Sequence, residues 1–167
     1  GGGRVDVSAE EEAAYPSPDY LQLRVTGGGA GDSIPLTKDV MGVLGLSQHE
    51  SVALIGGGHS LGQMHHTVSG FKDGAWTSKP AQLDTEYFQN LLNLSWTLIG
   101  DETTSTLEYT STTPSGERVF MLKTDLVLLL DPEYKAICQG FLGEPGTFLA
   151  TFVSAWVKVM EQDMPRV

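Results

Sequence analysis

Three glycines in a row, Gly56, Gly57 and Gly58, stand directly ahead of His59 and constrain this chain more than any other feature. The apolar run Val52, Ala53, Leu54 and Ile55 breaks on them. Glycine carries no side chain, so the backbone there lets a neighbour approach closely. The stretch predicts an imidazole delivered to an uncrowded place, with clearance for something large and flat. Upstream, Ser47 and Glu50 have the spacing of a capping box, which predicts a helix from about Gln48 to the glycines.

Three ordinary chemistries compete for these residues. Gly58-His59-Ser60-Leu61-Gly62 has the G-x-S-x-G pattern of a hydrolase nucleophile elbow, in which Ser60 would sit on a strand-to-helix turn and be followed by an acid and a histidine. The histidines are His49, His59, His65 and His66, so none lies far enough beyond Ser60 to return from a distant loop. A phosphate-binding loop lacks the Lys-Ser/Thr pair that would follow the glycines, and no acid stands at the dinucleotide-fold spacing. A zinc site on His59, His65 and His66 lacks both the i,i+4 spacing and a supplementing cysteine or glutamate.

The chain has 167 residues, 40% of them hydrophobic, and can bury one core. A formal net charge of -11 argues against nucleic acid, which demands a cationic footprint. Glu10, Glu11 and Glu12 form the one acidic run and read as a solvated segment. The single cysteine, Cys138, rules out an internal disulfide and sits among apolar residues as an inert thiol. The longest apolar runs reach about a third of the ~20 residues a membrane span needs, and no signal-type apolar segment is present. No direct membrane span is expected. The chain opens on Gly1 rather than methionine, which points to a processed form or a piece of a longer chain.

Residues 1–35 hold glycines, prolines and acids without sustained periodicity, and read as an extended arm or loop packing on a partner. Residues 36–167 read as a helical domain. Leu36, Val40, Val43 and Leu44 have helical spacing, closed by Gly45. His49 falls in the exposed first turn of the next helix. After a turn-rich passage over 71–80, Asp84 can cap a helix whose apolar face is Tyr87, Phe88, Leu91 and Leu92. Segments 96–99, 106–109 and 118–122 are β-prone, with a turn over 114–116, and predict a small antiparallel ribbon. A short helix over 126–130 follows. Pro132 and Pro145 suit the first positions of two more, one ending near Gly140 and one with the apolar face Phe148, Leu149, Phe152, Trp156 and Val159. The whole is mostly α with a minor β element, without the alternation of a parallel sheet.

Several separated motifs fall in a common order: His59-Ser60-Leu61-Gly62 with His65, Ser69-Gly70-Phe71, Gly74-Ala75-Trp76-Thr77, Asp84 to Phe88, Leu122-Lys123-Thr124-Asp125 and Asp131-Pro132-Glu133-Tyr134. Together they closely resemble the proximal, C-terminal half of the class I haem peroxidases, a group that includes ascorbate peroxidase, cytochrome c peroxidase and catalase-peroxidase. The resemblance extends through the last helix and back through Leu46-Ser47-Gln48-His49-Glu50 to Gly3-Arg4-Val5-Asp6. Residues 7–32 match poorly.

The resemblance implies the proximal half of the haem-dependent peroxidase fold, with haem b as cofactor. By position His59 stands as the iron ligand, with Asp125 and Trp76 as its partners, and His65 and Ser69 near the haem propionates. A carboxylate accepting from one imidazole nitrogen orients the ring and raises the basicity of the other. The glycines then read as clearance for the macrocycle. Val68 stands where ascorbate peroxidase carries the arginine that meets ascorbate, so ascorbate is doubtful as reductant. Lys79 stands where cation-binding relatives carry an asparagine ligand, and its ammonium is expected to replace the ion between Thr77 and Asp84. No potassium or calcium is expected.

Peroxide cleavage in this family needs a distal arginine and histidine. The arginines here are Arg4, Arg24, Arg118 and Arg166, none in that setting. Two functions follow. In one, the chain is the haem-binding half of an ascorbate peroxidase-like, hydrogen-peroxide-reducing enzyme whose distal half lies on another chain or was removed, inactive alone. In the other it is an inactive peroxidase-like accessory subunit of a large organellar complex, mitochondrial or thylakoid. An open apolar face would suit such a partner.

Overall fold

The computed structural model describes residues 33–69, 71–99 and 108–162. The arm assigned to residues 1–35 thus lies outside the described residues, except at its end, where Ile34 already opens the first helix. The elements in order are α1 (Ile34–Val43), α2 (Gln48–Ser60), α3 (His66–Ser69), α4 (Glu86–Asn93), β1 (Thr97–Leu98), β2 (Glu108–Thr112), β3 (Arg118–Leu122), α5 (Lys123–Leu130), α6 (Pro132–Gly143) and α7 (Pro145–Glu161). The strands form one antiparallel sheet in the order β1-β2-β3. Tyr109 faces Met121 and Thr110 faces Phe120 across the central pair. The fold is mostly α with a small antiparallel sheet, as expected. No helix among the described residues is long and apolar enough to cross a membrane.

Local signals set most boundaries. Gly45 turns the chain after α1 at φ 69° and Gly116 turns β2 into β3 at φ 97°, backbone that favours glycine. Ser47 and Glu50 form both arms of the capping box on α2. Asp84 accepts from the Glu86 amide at 2.8 Å and steadies the entry to α4. Asp131 caps α6 through the amides of Glu133 and Tyr134, with Pro132 in the first turn, where a missing N–H costs nothing. Lys38 of α1 ion-pairs with Asp131 at 2.7 Å and with Glu133 at 3.0 Å, tying the first helix to that cap. α6 runs on to Gly143, three residues past its expected end near Gly140.

The glycines behave differently from the expectation. α2 runs through all three and ends only at Ser60. A Cβ on Gly56 would lie 2.4 Å from the ring of Phe88, and one on Gly57 would lie 2.1 Å from the ring of Phe152. Those two absent side chains let α2 sit hard against α4 and α7, which offsets the helical penalty of about 1 kcal/mol per glycine. Gly58 alone faces open space, with no neighbouring atom within 4 Å of its Cβ position. Of the three, Gly58 alone leaves open space beside His59 in the chain, and the other two serve the core.

That core is aromatic. Tyr87, Phe88, Phe141 and Phe148 are essentially inaccessible. Phe88 meets Tyr87 and Phe148 edge-on, at ring separations of 5.2 and 5.0 Å, a geometry favoured by ring quadrupoles. Cys138 is fully buried among them, and burial pushes its thiol up to about 12. The expected face of α7 is only half covered. Phe148 and Phe152 are buried, Val159 is half-buried, and Leu149 and Trp156 are exposed, with Val153, Val157 and Met160 exposed on the same helix outside that face.

Candidate functional site

His59 comes from the last turn of α2, Trp76 from the irregular passage between α3 and α4, Tyr87 from α4 and Asp125 from the first turn of α5. They meet at the Asp125 carboxylate, which has no exposure at all. Oδ1 accepts from His59 Nδ1 at 2.7 Å and from the Tyr87 hydroxyl at 2.5 Å. Oδ2 accepts from Trp76 Nε1 at 2.9 Å and from the Leu122 amide at 2.6 Å. The Leu122 bond arises because Asp125 sits three residues into the turn that follows β3, where its side chain folds back onto the helix entrance.

A carboxylate offers about four lone-pair sites, and all are taken here, two on each oxygen. Burial alone would raise its pKa. The charge of His59 and the bonds from His59, Tyr87 and Leu122 outweigh burial and hold Asp125 below the ordinary carboxylate value. Asp125 is therefore the acceptor, which places a His59 proton on Nδ1; the neutral ring in that tautomer carries its lone pair on Nε2. Burial first, and then the facing Asp125 charge, push the Tyr87 phenol well above its usual range. It remains a donor.

Trp76 stacks on the imidazole at a centroid distance of 4.2 Å and 14° from parallel. Tyr87 presents its ring edge-on at 6.1 Å. The His59 ring is thus fixed on the inner side by a bond, a stack and an edge, while 27% of its side chain stays exposed. Nε2 lies on the ring edge turned away from Asp125.

No group of three or more His, Cys, Asp or Glu side chains among the described residues is placed to hold a metal ion by itself, which disposes of a zinc site on His59, His65 and His66. An imidazole tied through Nδ1 has Nε2 as its one nitrogen to offer, which fits a metal whose other ligands come with it, as in a porphyrin. The hydrolase elbow is absent too. Ser60 is buried and donates to the Gly56 carbonyl at 2.7 Å, and a helix rather than a strand leads into it.

Of the residues singled out from sequence, His59, Trp76 and Asp125 come together. His65 is exposed on the short connection before α3 and is not one of the four donors to Asp125. Ser69 and Val68 lie in the backbone of α3, and their side chains are outside the described residues, as are Arg4, Arg24 and Arg166. Arg118 is engaged in the sheet, donating to Thr110 at 3.1 Å and lying over the Phe120 ring.

Lys79 does not do what its position suggested. It is exposed and, among the described residues, forms no ion pair with Asp84, whose carboxylate serves the entry to α4 instead. A solvated ammonium gains little from moving into that space. Among the described residues the Thr77 hydroxyl is left buried without a hydrogen-bond partner.

Sequence reasoning missed Tyr87, which was read as one residue of an apolar helix face. The available signal was its chemistry: a phenol on a face that is otherwise Phe and Leu must bring its hydroxyl to a buried acceptor.

Comparison with known proteins identifies relatives of this chain. The sequence model described as Peroxidase matches residues 1–144. A protein of Yarrowia lipolytica named "Putative heme-binding peroxidase" is 37% identical over 159 residues, covering 95% of this chain and 48% of that protein. Its namesake from Cryptococcus neoformans var. neoformans serotype D is 31% identical over 164 residues, covering 98% of this chain and 47% of that protein. A catalase-peroxidase of Gloeobacter violaceus is 27% identical over 174 residues, covering 76% of this chain and 24% of the relative. The chain spans about half the length of the heme-binding relatives it matches. With a peroxidase match across most of its length and a His59, Asp125 and Trp76 cluster where the motifs fall, the chain belongs to the peroxidase family, within its class I group.

Proposed function

We propose that the chain holds haem b through His59 and forms the proximal side of a hydrogen-peroxide-reducing site, completed by a distal half carried on another chain or removed from this one. The observation that carries this reading is the His59 ring itself, its Nδ1 tied at 2.7 Å to a buried carboxylate, so that Nε2 is the nitrogen it has to offer. Bound haem would supply the redox-active iron at which peroxide is reduced. His59 would hold it, Asp125 would keep the ligand's proton on Nδ1 and make Nε2 a stronger donor, and Trp76 would fix the ring plane. His65, and Ser69 beside it in sequence, would meet the propionates. The distal arginine and histidine that peroxide cleavage requires would come from the other half, so no activity is expected of this chain alone. Ascorbate is not proposed as the reductant, because Val68 replaces the arginine that would meet it.

Adding haemin to the purified protein tests this reading. A Soret band that saturates at one haem per chain and is lost in His59→Ala is expected. No band with the parent protein, or an undiminished band with His59→Ala, would overturn it.

A second reading is favoured by the exposed Leu149, Val153, Trp156, Val157 and Met160 on α7. Here the chain is an inactive peroxidase-like subunit of a larger organellar assembly, kept for its surface. Light scattering decides this reading: a chain that stays monomeric and folded by itself would remove its support.

A further inference from the structure

The Asp125 carboxylate is shared more evenly than a histidine–carboxylate pair requires. Oδ1, the oxygen facing His59, also receives the Tyr87 hydroxyl at 2.5 Å. Tyr87 is fully buried, and its ring packs edge-on against Phe88 and His59. A phenylalanine would make those ring contacts equally well. The hydroxyl therefore needs a reason beyond packing, and it donates to the same oxygen that accepts from His59 Nδ1.

Hydrogen bonds to an ionised acceptor are about twice as strong as neutral ones, and two donors on one oxygen divide its charge between them. We propose that Tyr87 is a positioning residue for His59: by donating to Asp125 Oδ1 it limits the carboxylate's pull on the Nδ1 proton and so sets how strongly Nε2 donates to a bound iron. With Tyr87 in place the charge on Oδ1 is divided between two donors and the Nδ1–H bond is the weaker for it. Without it, His59 has Oδ1 to itself, the Nδ1–H bond tightens and the ring gains imidazolate character. Trp76 feels the same change through Oδ2, since both oxygens share one charge. This inference rests on the reading of His59 as the iron ligand, but its first consequence is visible without haem.

The experiment is proton NMR of the apoprotein, comparing the parent with Tyr87→Phe and with a protein carrying 3-fluorotyrosine at position 87. The fluorinated phenol is nearly the same size and a stronger donor. Tyr87→Phe is expected to move the His59 Nδ1 and Trp76 Nε1 proton resonances downfield, and the fluorotyrosine to move them upfield. In the haem-loaded protein, Tyr87→Phe is expected to raise the iron–histidine stretching frequency and lower the reduction midpoint potential. Resonances that stay put in both altered proteins would overturn the proposal, as would shifts of the same sign. Should Tyr87→Phe fail to fold, the fluorotyrosine protein decides alone, because it keeps the hydroxyl. A parent protein that takes up no haem would defeat the ligand reading, while the apoprotein shifts would still decide the role of Tyr87.

Discussion

The indole of Trp76 lies 4.2 Å from the imidazole of His59 and 14° from parallel, and both rings send an N–H to the same carboxylate, that of Asp125. One residue type thus supplies a flat surface and a hydrogen bond at once, and the two contributions are separable.

Trp76→Phe retains an aromatic stack on His59 and removes the donor to Asp125 Oδ2. Loss of a hydrogen bond to a buried charged acceptor costs about 1.5–3 kcal/mol. Urea unfolding of the apoprotein is expected to show a loss in that range, with the far-UV spectrum unchanged. A change under about 0.5 kcal/mol, the scale of an ordinary surface substitution, would mean that the bond contributes nothing to folding.

The glycines separate in the same way. Gly57→Ala drives a methyl into the Phe152 ring, and overpacking of this kind costs about 1–3 kcal/mol. Gly58→Ala meets nothing within 4 Å and gains helix propensity of up to about 1 kcal/mol. Thermal unfolding of the two variants should move in opposite directions. Gly58→Leu is expected to keep its stability and bind haemin more weakly, because the added bulk stands beside His59.

The Lys38–Asp131 pair predicts a particular response to acid. Burial would raise the Asp131 pKa, but the bond and charge of Lys38 and the two α6 amides hold it below the ordinary value of 3.8. A depressed folded-state pKa contributes stability that is fully present above the unfolded value and lost as pH falls through the folded one. Lys38→Met should therefore destabilise the protein near neutral pH, by about 1 kcal/mol for a half-buried pair still screened by solvent. The gap from the parent should close as pH drops below that of an ordinary aspartate. Denaturant titrations across that interval provide the check, and a gap independent of pH would contradict the assignment.

Cys138 should be silent in the native protein. Its thiol is fully buried and pushed up to about 12 by burial, so the reactive thiolate is scarce at mild alkaline pH. Labelling with iodoacetamide is expected to proceed no faster than global unfolding. Rapid labelling under native conditions would show that the α6 core opens locally.

Much of this molecule was legible before any coordinates. The capping box on Ser47 and Glu50, the prolines opening α6 and α7 and the turn at Gly116 are local signals, read from a few neighbouring residues. The His59, Trp76 and Asp125 grouping was legible through resemblance alone, because no local pattern links positions so far apart in the chain. What escaped was cooperative. Gly56 and Gly57 looked like open backbone because their true occupants, Phe88 and Phe152, lie on other helices. Tyr87 looked apolar because helical periodicity reports which way a residue faces, and not what its terminal atom touches. Lys79 looked like a substitute for an ion because charge was counted without its preference for water.

The four donors to Asp125 reach it across sequence separations of 66, 49, 38 and 3 residues. Closing such loops is entropically slow and is repaid only when the last contact forms. The carboxylate is therefore a knot in the folding order. Until α2, the passage to α4 and the turn after β3 have all docked, it has no environment in which a buried charge can persist. The tautomer of His59 is settled at that same moment, which makes readiness to bind iron a late, all-or-none property of the assembled topology.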